Sequence, residues 1–192
     1  MDLKNHIKYD NVINKIDELA KETIQFKRTA GEVAAIVQEL EPNTKDISLN
    51  NVLENAVEAA QRYSKLKSTQ INLNLEDNLP KIEGRYWSLV HAFTNIIVNA
   101  AQAISDKGFI TLSTFKTTDA RICCKISDTG RGIKKEYLPK LFDPFYSGWQ
   151  EKKRIGLGLA VTQRIIKHFG GEVKVESEEN KGSEFTICLP YV

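Results

Sequence analysis

The chain has 192 residues, 41% of them apolar and 27% charged, with a formal net charge of +2. That balance suits a folded protein with a real core and excludes disordered or collagen-like chains. It offers no support for nucleic acid as a partner, and no apolar run approaches the roughly 18 residues of a membrane span. With no signal-peptide pattern either, the expected location is the cytoplasm, as a free protein or as the soluble part of a longer membrane protein.

Residues 3–41 predict one long helix. Tyr9, Val12, Ile16, Leu19, Thr23, Phe26, Ala30, Val33, Val37 and Leu40 alternate gaps of three and four, a seam that argues for coiled-coil or bundle packing. Gly31 leaves open a hairpin turning near Thr29–Gly31. Pro42 and Asn43 stop the helix, and the expected boundary at 41–46 divides a helical part, 1–45, from a compact part, 46–192.

In the compact part, Asn50 is expected to cap a helix to about Ser64, and STQINLNL alternates as a strand. A helix follows from about Arg85 to Ser105. GFITLSTF and ARICCKIS are the next strands, the second ending at Asp128. A glycine-rich stretch over 128–156 is expected to hold one short helix at Lys134–Leu141. A further helix runs from near Gly156 to Gly170–Gly171, a helix-stop pair, and GEVKVES and SEFTICLP predict a terminal hairpin. Helices set between mostly meander-connected strands suggest a two-layer sandwich. Cys123, Cys124 and Cys188 form neither a disulfide framework nor a zinc set; Cys124 shares a strand face with Ile122 and Ile126, and all three cysteines are expected to be structural and reduced.

The helix HAFTNIIVNAAQAI raises a chemical question. Val90, Phe93, Ile96, Ile97, Ala100 and Ile104 make an apolar stripe, while His91, Asn95, Asn99 and Gln102 fall on the other side. Asn costs roughly 0.5 kcal/mol or more in a helix interior, so two of them a turn apart raise the question of a purpose, although this helix taken alone reads as having a solvated face.

Four further stretches bear on it. DTGRGI (128–133) puts a carboxylate at a strand's end beside Gly130 and Gly132, where a flat ligand can approach backbone; taken alone it reads as a turn. RIGLGLA (154–160) opens a helix with Gly156 and Gly158, whose free N–H groups suit phosphate oxygens, and Lys152, Lys153 and Arg154 precede it. It is no P-loop, since no Gly-Lys-Ser/Thr follows. FDPFYSG (142–148) sets aromatics at the base of a loop. GSEFTICLP (182–190) places Ser183 just before a strand.

In order and spacing these five pieces resemble the N, G1, F, G2 and G3 boxes of sensor histidine kinases of two-component systems, over about residues 46–190. The resemblance implies an α+β two-layer sandwich, the Bergerat ATP-binding fold of the GHKL superfamily, preceded by a long N-terminal helix. It implies that Asp128 accepts from the adenine amino group, that Gly130, Gly132 and Ile133 form the wall beside the base, and that Ser183 reaches the ring. Asn99 matches the ligand of Mg²⁺. Asn95, implied to be catalytic and, with Asn99, to face the triphosphate of bound ATP, stands where the superfamily's ATP hydrolases carry a base. Lys153, Arg154, Gly156, Leu157, Gly158 and Leu159 would hold the phosphates of ATP.

The implied activity is transfer of the γ-phosphoryl group of Mg-ATP to histidine. Asn95 cannot take a proton from water, whereas a neutral imidazole needs no base. The implied partners are a second copy joined through the N-terminal helix, a response-regulator receiver domain and a histidine-bearing hairpin. Three departures stand out. Arg154 and Ile155 replace the Gly-Thr/Ser that usually opens the G2 box, and Gln102 takes a place that is often basic. None of His6, His91 or His168 has the acidic neighbour and following Pro of the family's phosphoacceptor, so the acceptor-bearing helix is expected to be missing. The alternatives are a nucleotide-binding pseudokinase or phosphorelay regulatory module and, further off, a GHKL ATPase or serine kinase.

Overall fold

The computed structural model describes residues 43–62, 66, 69–146 and 156–191. They fall within one compact unit, Gln38–Val192. The helix expected over 3–41 lies outside the described residues, as do Lys153 and Arg154.

Strand β1 (Thr44–Ile47) leads to helix α1 (Leu49–Gln61), then β2 (Thr69–Asn74), β3 (Ile82–Gly84) and helix α2 (Tyr86–Ala103). Strands β4 (Gly108–Lys116) and β5 (Arg121–Asp128) follow, then helix α3 (Gly158–His168) and the hairpin β6 (Glu172–Glu178) and β7 (Gly182–Pro190). Five strands form one sheet in the order β2-β4-β5-β7-β6, and β1 and β3 pair separately. β2 runs parallel to β4 and the remaining pairs of the sheet are antiparallel. The fold is an α+β two-layer sandwich, three helices on one face of the sheet.

Alternation in the strands sets the faces. Ile122, Cys124, Ile126 and Asp128 of β5 share a face with Leu189, Ile187, Phe185 and Ser183 of β7, each opposite its partner in the ladder. On β4 the matching row is Ile110, Leu112 and Thr114. Against it α2 buries Leu89, Phe93, Ile96, Ile97 and Ala100, and α1 buries Leu49, Val52, Leu53, Ala56, Val57 and Ala60 at the three-and-four spacing of one helix face. A fully buried side chain of this size contributes about 1.5–3 kcal/mol relative to exposure. The other face of the sheet carries Thr111, Lys125, Thr186 and Lys174.

Several boundaries differ from expectation. Ser48, not Asn50, caps α1, its Oγ accepting from the Asn51 N–H at 3.4 Å. Asn50 instead donates to the Glu76 carbonyl at 2.9 Å and accepts from Thr114 Oγ1 at 3.2 Å, tying α1 to the sheet. The helix expected at Lys134–Leu141 shrinks to one 3₁₀ turn, Leu138–Lys140, because Pro139 removes a backbone donor. The small β1–β3 pair and the parallel crossover from β2 to β4 were not foreseen, since β3 is only three residues long and crossovers leave no local trace. The stop of α3 agrees with the sequence: Gly170 has φ +70° and Gly171 N–H donates to the Ile166 carbonyl at 2.9 Å.

Cys123 and Cys188 stand opposite each other on β5 and β7 and form a disulfide. This corrects the expectation of three reduced cysteines. The pairing is set by strand register, 65 residues apart in sequence, which no spacing pattern reveals. Cys124 is free and buried, and desolvation drives its thiol far above the ordinary range.

Candidate functional site

The site lies where the C-terminal half of α2, the end of β5, the start of α3 and the β6–β7 turn meet. Helix α2 is buried nearly all round: Ala92, Asn95, Val98 and Ala101 are covered as well as its apolar stripe. On the polar side of this helix Asn95 is buried, while His91, Asn99 and Gln102 are half-buried. Asn95 is 4% exposed and donates through Nδ2 to the Gly158 carbonyl at 3.4 Å. Thr162, fully buried, donates to the Ala92 carbonyl at 3.3 Å. These two contacts seat the first turn of α3 against α2, bringing Gly158, half-buried Leu157 and Leu159, and Gly156 beside the asparagine side of α2.

Asn99, one turn further on, is half-buried, and no side-chain hydrogen bond to it is present among the described residues. Gln102 Oε1 is buried without a hydrogen-bond partner among them. The end of α2 is then capped by the DTGRGI loop, whose Arg131 N–H donates to the Ala103 carbonyl at 3.1 Å.

Asp128 ends β5 with its side chain on the helix-facing side. It is 7% exposed, and Oδ1 accepts from the Gly130 N–H at 2.8 Å. Burial raises its carboxyl above the usual range, while hydrogen bonds from the Gly130 backbone and from the backbone and hydroxyl of Ser183 pull it back. The result is a desolvated acceptor held in one orientation by its neighbours. Gly130 has no room for more: a β-carbon there would sit 2.7 Å from Ala103. Gly132 has φ +67° and turns the loop against the Glu178 carbonyl. The loop is braced from the far side too, Asn180 N–H donating to the Arg131 carbonyl at 2.6 Å and Ile133 N–H to Ser177 Oγ at 2.8 Å. Ser183 sits opposite Asp128 inside β7 rather than ahead of the strand.

The FDPFYSG stretch closes a loop base. Phe145 N–H donates to the Gly156 carbonyl at 3.0 Å, so residues on either side of 147–155 are fastened together. Phe145 itself is 73% exposed with φ 66°. The structure thus gathers Asn95, Asn99, Asp128, Gly130, Gly132, Ile133, Gly156, Leu157, Gly158, Leu159 and Ser183 around one end of the sheet and α2. His91 lies a turn before Asn95 on α2, whereas His168 is exposed at the far end of α3, edge-on to Phe169.

Sequence reasoning overlooked Ser177 and Thr129. Thr129 Oγ1 accepts from Phe109 N–H at 3.0 Å and fastens the loop to β4. Ser177 had a legible signal: in EVKVESE it is the polar residue on the face otherwise occupied by Val173 and Val175.

No group of three or more His, Cys, Asp or Glu side chains able to hold a metal exists among the described residues. Half-buried Asn99 is the residue here that could offer a hard cation such as magnesium a neutral amide oxygen.

Comparisons with known proteins bear on the fold and the family. The sensor histidine kinase ZraS of Salmonella typhi is 29% identical over 174 residues, which cover 91% of this chain and 37% of that protein. Sporulation kinase C of Bacillus subtilis is 35% identical over 147 residues, 76% of this chain and 34% of that one. The chain thus spans little more than a third of the length of these relatives. Among solved structures, the mycobacterial sensor histidine kinase MprB superposes with a TM-score of 0.67 at 19% identity, covering 78% of this chain and 97% of that chain. Full-length ShkA in complex with AMPPNP gives 0.67 at 24% identity, over 77% of this chain and 31% of that chain. The family described as histidine kinase-, DNA gyrase B-, and HSP90-like ATPase matches residues 84–192, more than half of the sequence, and the chain belongs to that family.

Proposed function

We propose that the chain is the catalytic core of a two-component sensor histidine kinase, which binds Mg-ATP and passes its γ-phosphoryl group to a histidine. The observation that carries this reading is the buried Asp128 carboxylate, oriented by Gly130 N–H at 2.8 Å. An acceptor-only group at that place suits a purine with an amino donor at its 6-position, as in adenine, where guanine carries a carbonyl oxygen instead. Gly130, Gly132 and Ile133 flank it with backbone, and Ser183 supplies a hydroxyl toward the same ring.

Asn99 is the residue that would hold Mg²⁺, through its amide oxygen. When bound, the ion neutralises phosphate charge and thereby eases phosphoryl transfer. The N-terminal turn of α3, with Gly156, Leu157, Gly158 and Leu159, would direct N–H groups at phosphate oxygens, with Lys153 and Arg154 adding cations. Asn95 is held by Gly158 and has no basic atom, so it does not activate water; it positions the first turn of α3 for transfer to a nucleophile that needs no base. The acceptor imidazole would come from a separate histidine-bearing hairpin, the phosphoryl group would pass on to a receiver domain, and residues 3–41 would pair two copies. A cytoplasmic location follows the same reading.

A nucleotide-binding pseudokinase is the second reading, favoured by Arg154 and Ile155 in place of the usual Gly-Thr/Ser. Incubating the chain with radiolabelled ATP, with and without a separate histidine hairpin, separates the two. Acid-labile label on the hairpin supports the kinase. ATP binding without label on any hairpin supports the pseudokinase.

A further inference from the structure

A single row of side chains crosses the end of the sheet. Asp128 of β5 is opposite Ser183 of β7, which is opposite Ser177 of β6. Opposite residues in antiparallel strands share a face, so the three stand in line on the helix-facing side. The next row along is Ile126, Phe185 and Val175, apolar throughout. The polar row is thus a local break in the apolar face that β5, β6 and β7 share.

Ser177 is the busiest member of that row. Its Oγ accepts from Ile133 N–H at 2.8 Å, donates to the Gly182 carbonyl at 2.8 Å and lies 3.0 Å from Ser183 Oγ. A hydroxyl has one proton and two lone pairs. The Ser177 proton therefore serves either Gly182 or Ser183. When it serves Ser183, the Ser183 proton is free for the Asp128 carboxylate, one of the hydrogen bonds that offset that group's burial. Ser177 also joins two segments far apart in sequence, the DTGRGI loop through Ile133 and the β6–β7 turn through Gly182.

We propose that Ser177 is a positioning residue for adenine recognition: it holds the DTGRGI loop on β6 and, through Ser183, keeps the Asp128 carboxylate an oriented acceptor. The proposal rests on the adenine-site reading given above. Alanine at 177 would leave the Ile133 N–H without its acceptor and Ser183 without its neighbour. Threonine would keep the hydroxyl.

The test compares the full chain with Ser177→Ala and Ser177→Thr in two measurements. Hydrogen exchange at the Ile133 amide is followed in nucleotide-free protein, and fluorescent ATP and GTP analogues are titrated. Ser177→Ala is expected to speed Ile133 exchange about tenfold and to weaken the ATP analogue about tenfold, the effect of one hydrogen bond. The GTP analogue should change little, so the preference for adenine narrows, and Ser177→Thr should restore both readouts. An unchanged ATP-to-GTP preference in Ser177→Ala would overturn the proposal, as would equal losses for both nucleotides that threonine does not rescue. A parent chain that binds no adenine nucleotide would instead overturn the site reading and the specificity role with it. In that case faster Ile133 exchange in the alanine variant would still mark Ser177 as the clasp of the loop.

Discussion

At the scale of single residues, the proposed function divides the work of the site between Asp128, on the base, and Asn99, on the phosphates. Asp128 is 7% exposed, and a hydrogen bond to a charged group of this kind contributes about 1.5–3 kcal/mol. Asp128→Ala should therefore weaken a fluorescent ATP analogue by more than tenfold, and an affinity equal to the parent's would remove the adenine assignment. Asn99 belongs to another class of effect. It is half-buried on α2, so alanine costs the helix nothing in propensity and the thermal midpoint should hold. What should vanish is the gain in ATP affinity on adding Mg²⁺, measured by titration with and without EDTA. If the variant kept that gain, the polar side of α2 would have no metal role.

At the scale of elements, two devices hold the sheet's central ladder. On the open face, Lys125 lies 2.7 Å from Glu184, which also accepts from Ser127 at 2.9 Å. The hydrogen bond from Lys125 holds the Glu184 carboxyl below its usual range against the raising effect of burial, with a lesser contribution from Ser127, and the same pairing raises Lys125. A carboxylate with a lowered native pKa adds stability that is present above its unfolded value and lost as pH falls through the native one. The Glu184→Gln variant should therefore be less stable than the parent at pH 7 and converge with it in acid. Both side chains remain at least a third exposed, so solvent screening limits the difference to under about 1 kcal/mol. Thermal melts from pH 7 to 3 would show the convergence, and a constant gap across that range would exclude the pair as its cause. On the same face, the second device is covalent, the Cys123–Cys188 link.

At the scale of the whole molecule, that link closes a long segment, 65 residues apart in sequence. The segment contains the DTGRGI loop, the FDPFYSG stretch and α3, so it spans most of the proposed nucleotide site. Constraining the unfolded chain over such a length typically contributes about 2–4 kcal/mol. Reduction should lower the thermal midpoint by roughly 4–16 °C in parallel with a mass gain of two hydrogens. Cys123→Ser should lower it similarly and make the protein insensitive to reductant. A midpoint that ignores reductant while the mass changes would show that the link adds no stability. Because the disulfide is at one end of the β5–β7 ladder and Asp128–Ser183 at the other, adenine binding should survive its reduction at temperatures below the melt.

The sequence alone determined the parts of this protein that depend on near neighbours. Periodicity placed α2 and the β4, β5, β6 and β7 strands, Gly170–Gly171 stopped α3, and the order of five short motifs singled out Asp128, Asn99 and their glycines as candidates. Local patterns carry that information because a helix face or a strand face is set by spacing within a dozen residues. What only the tertiary structure decided depends on register between distant segments. It turned Asn95 inward to Gly158 and closed Cys123 onto Cys188 where separate reduced thiols had been expected. It also lined up Asp128, Ser183 and Ser177 across three strands. A one-residue slip of β7 would have broken the last two of these relationships without altering any strand's own pattern. The pairing of strands is a property of the assembled sheet, settled by which rows of side chains bury together.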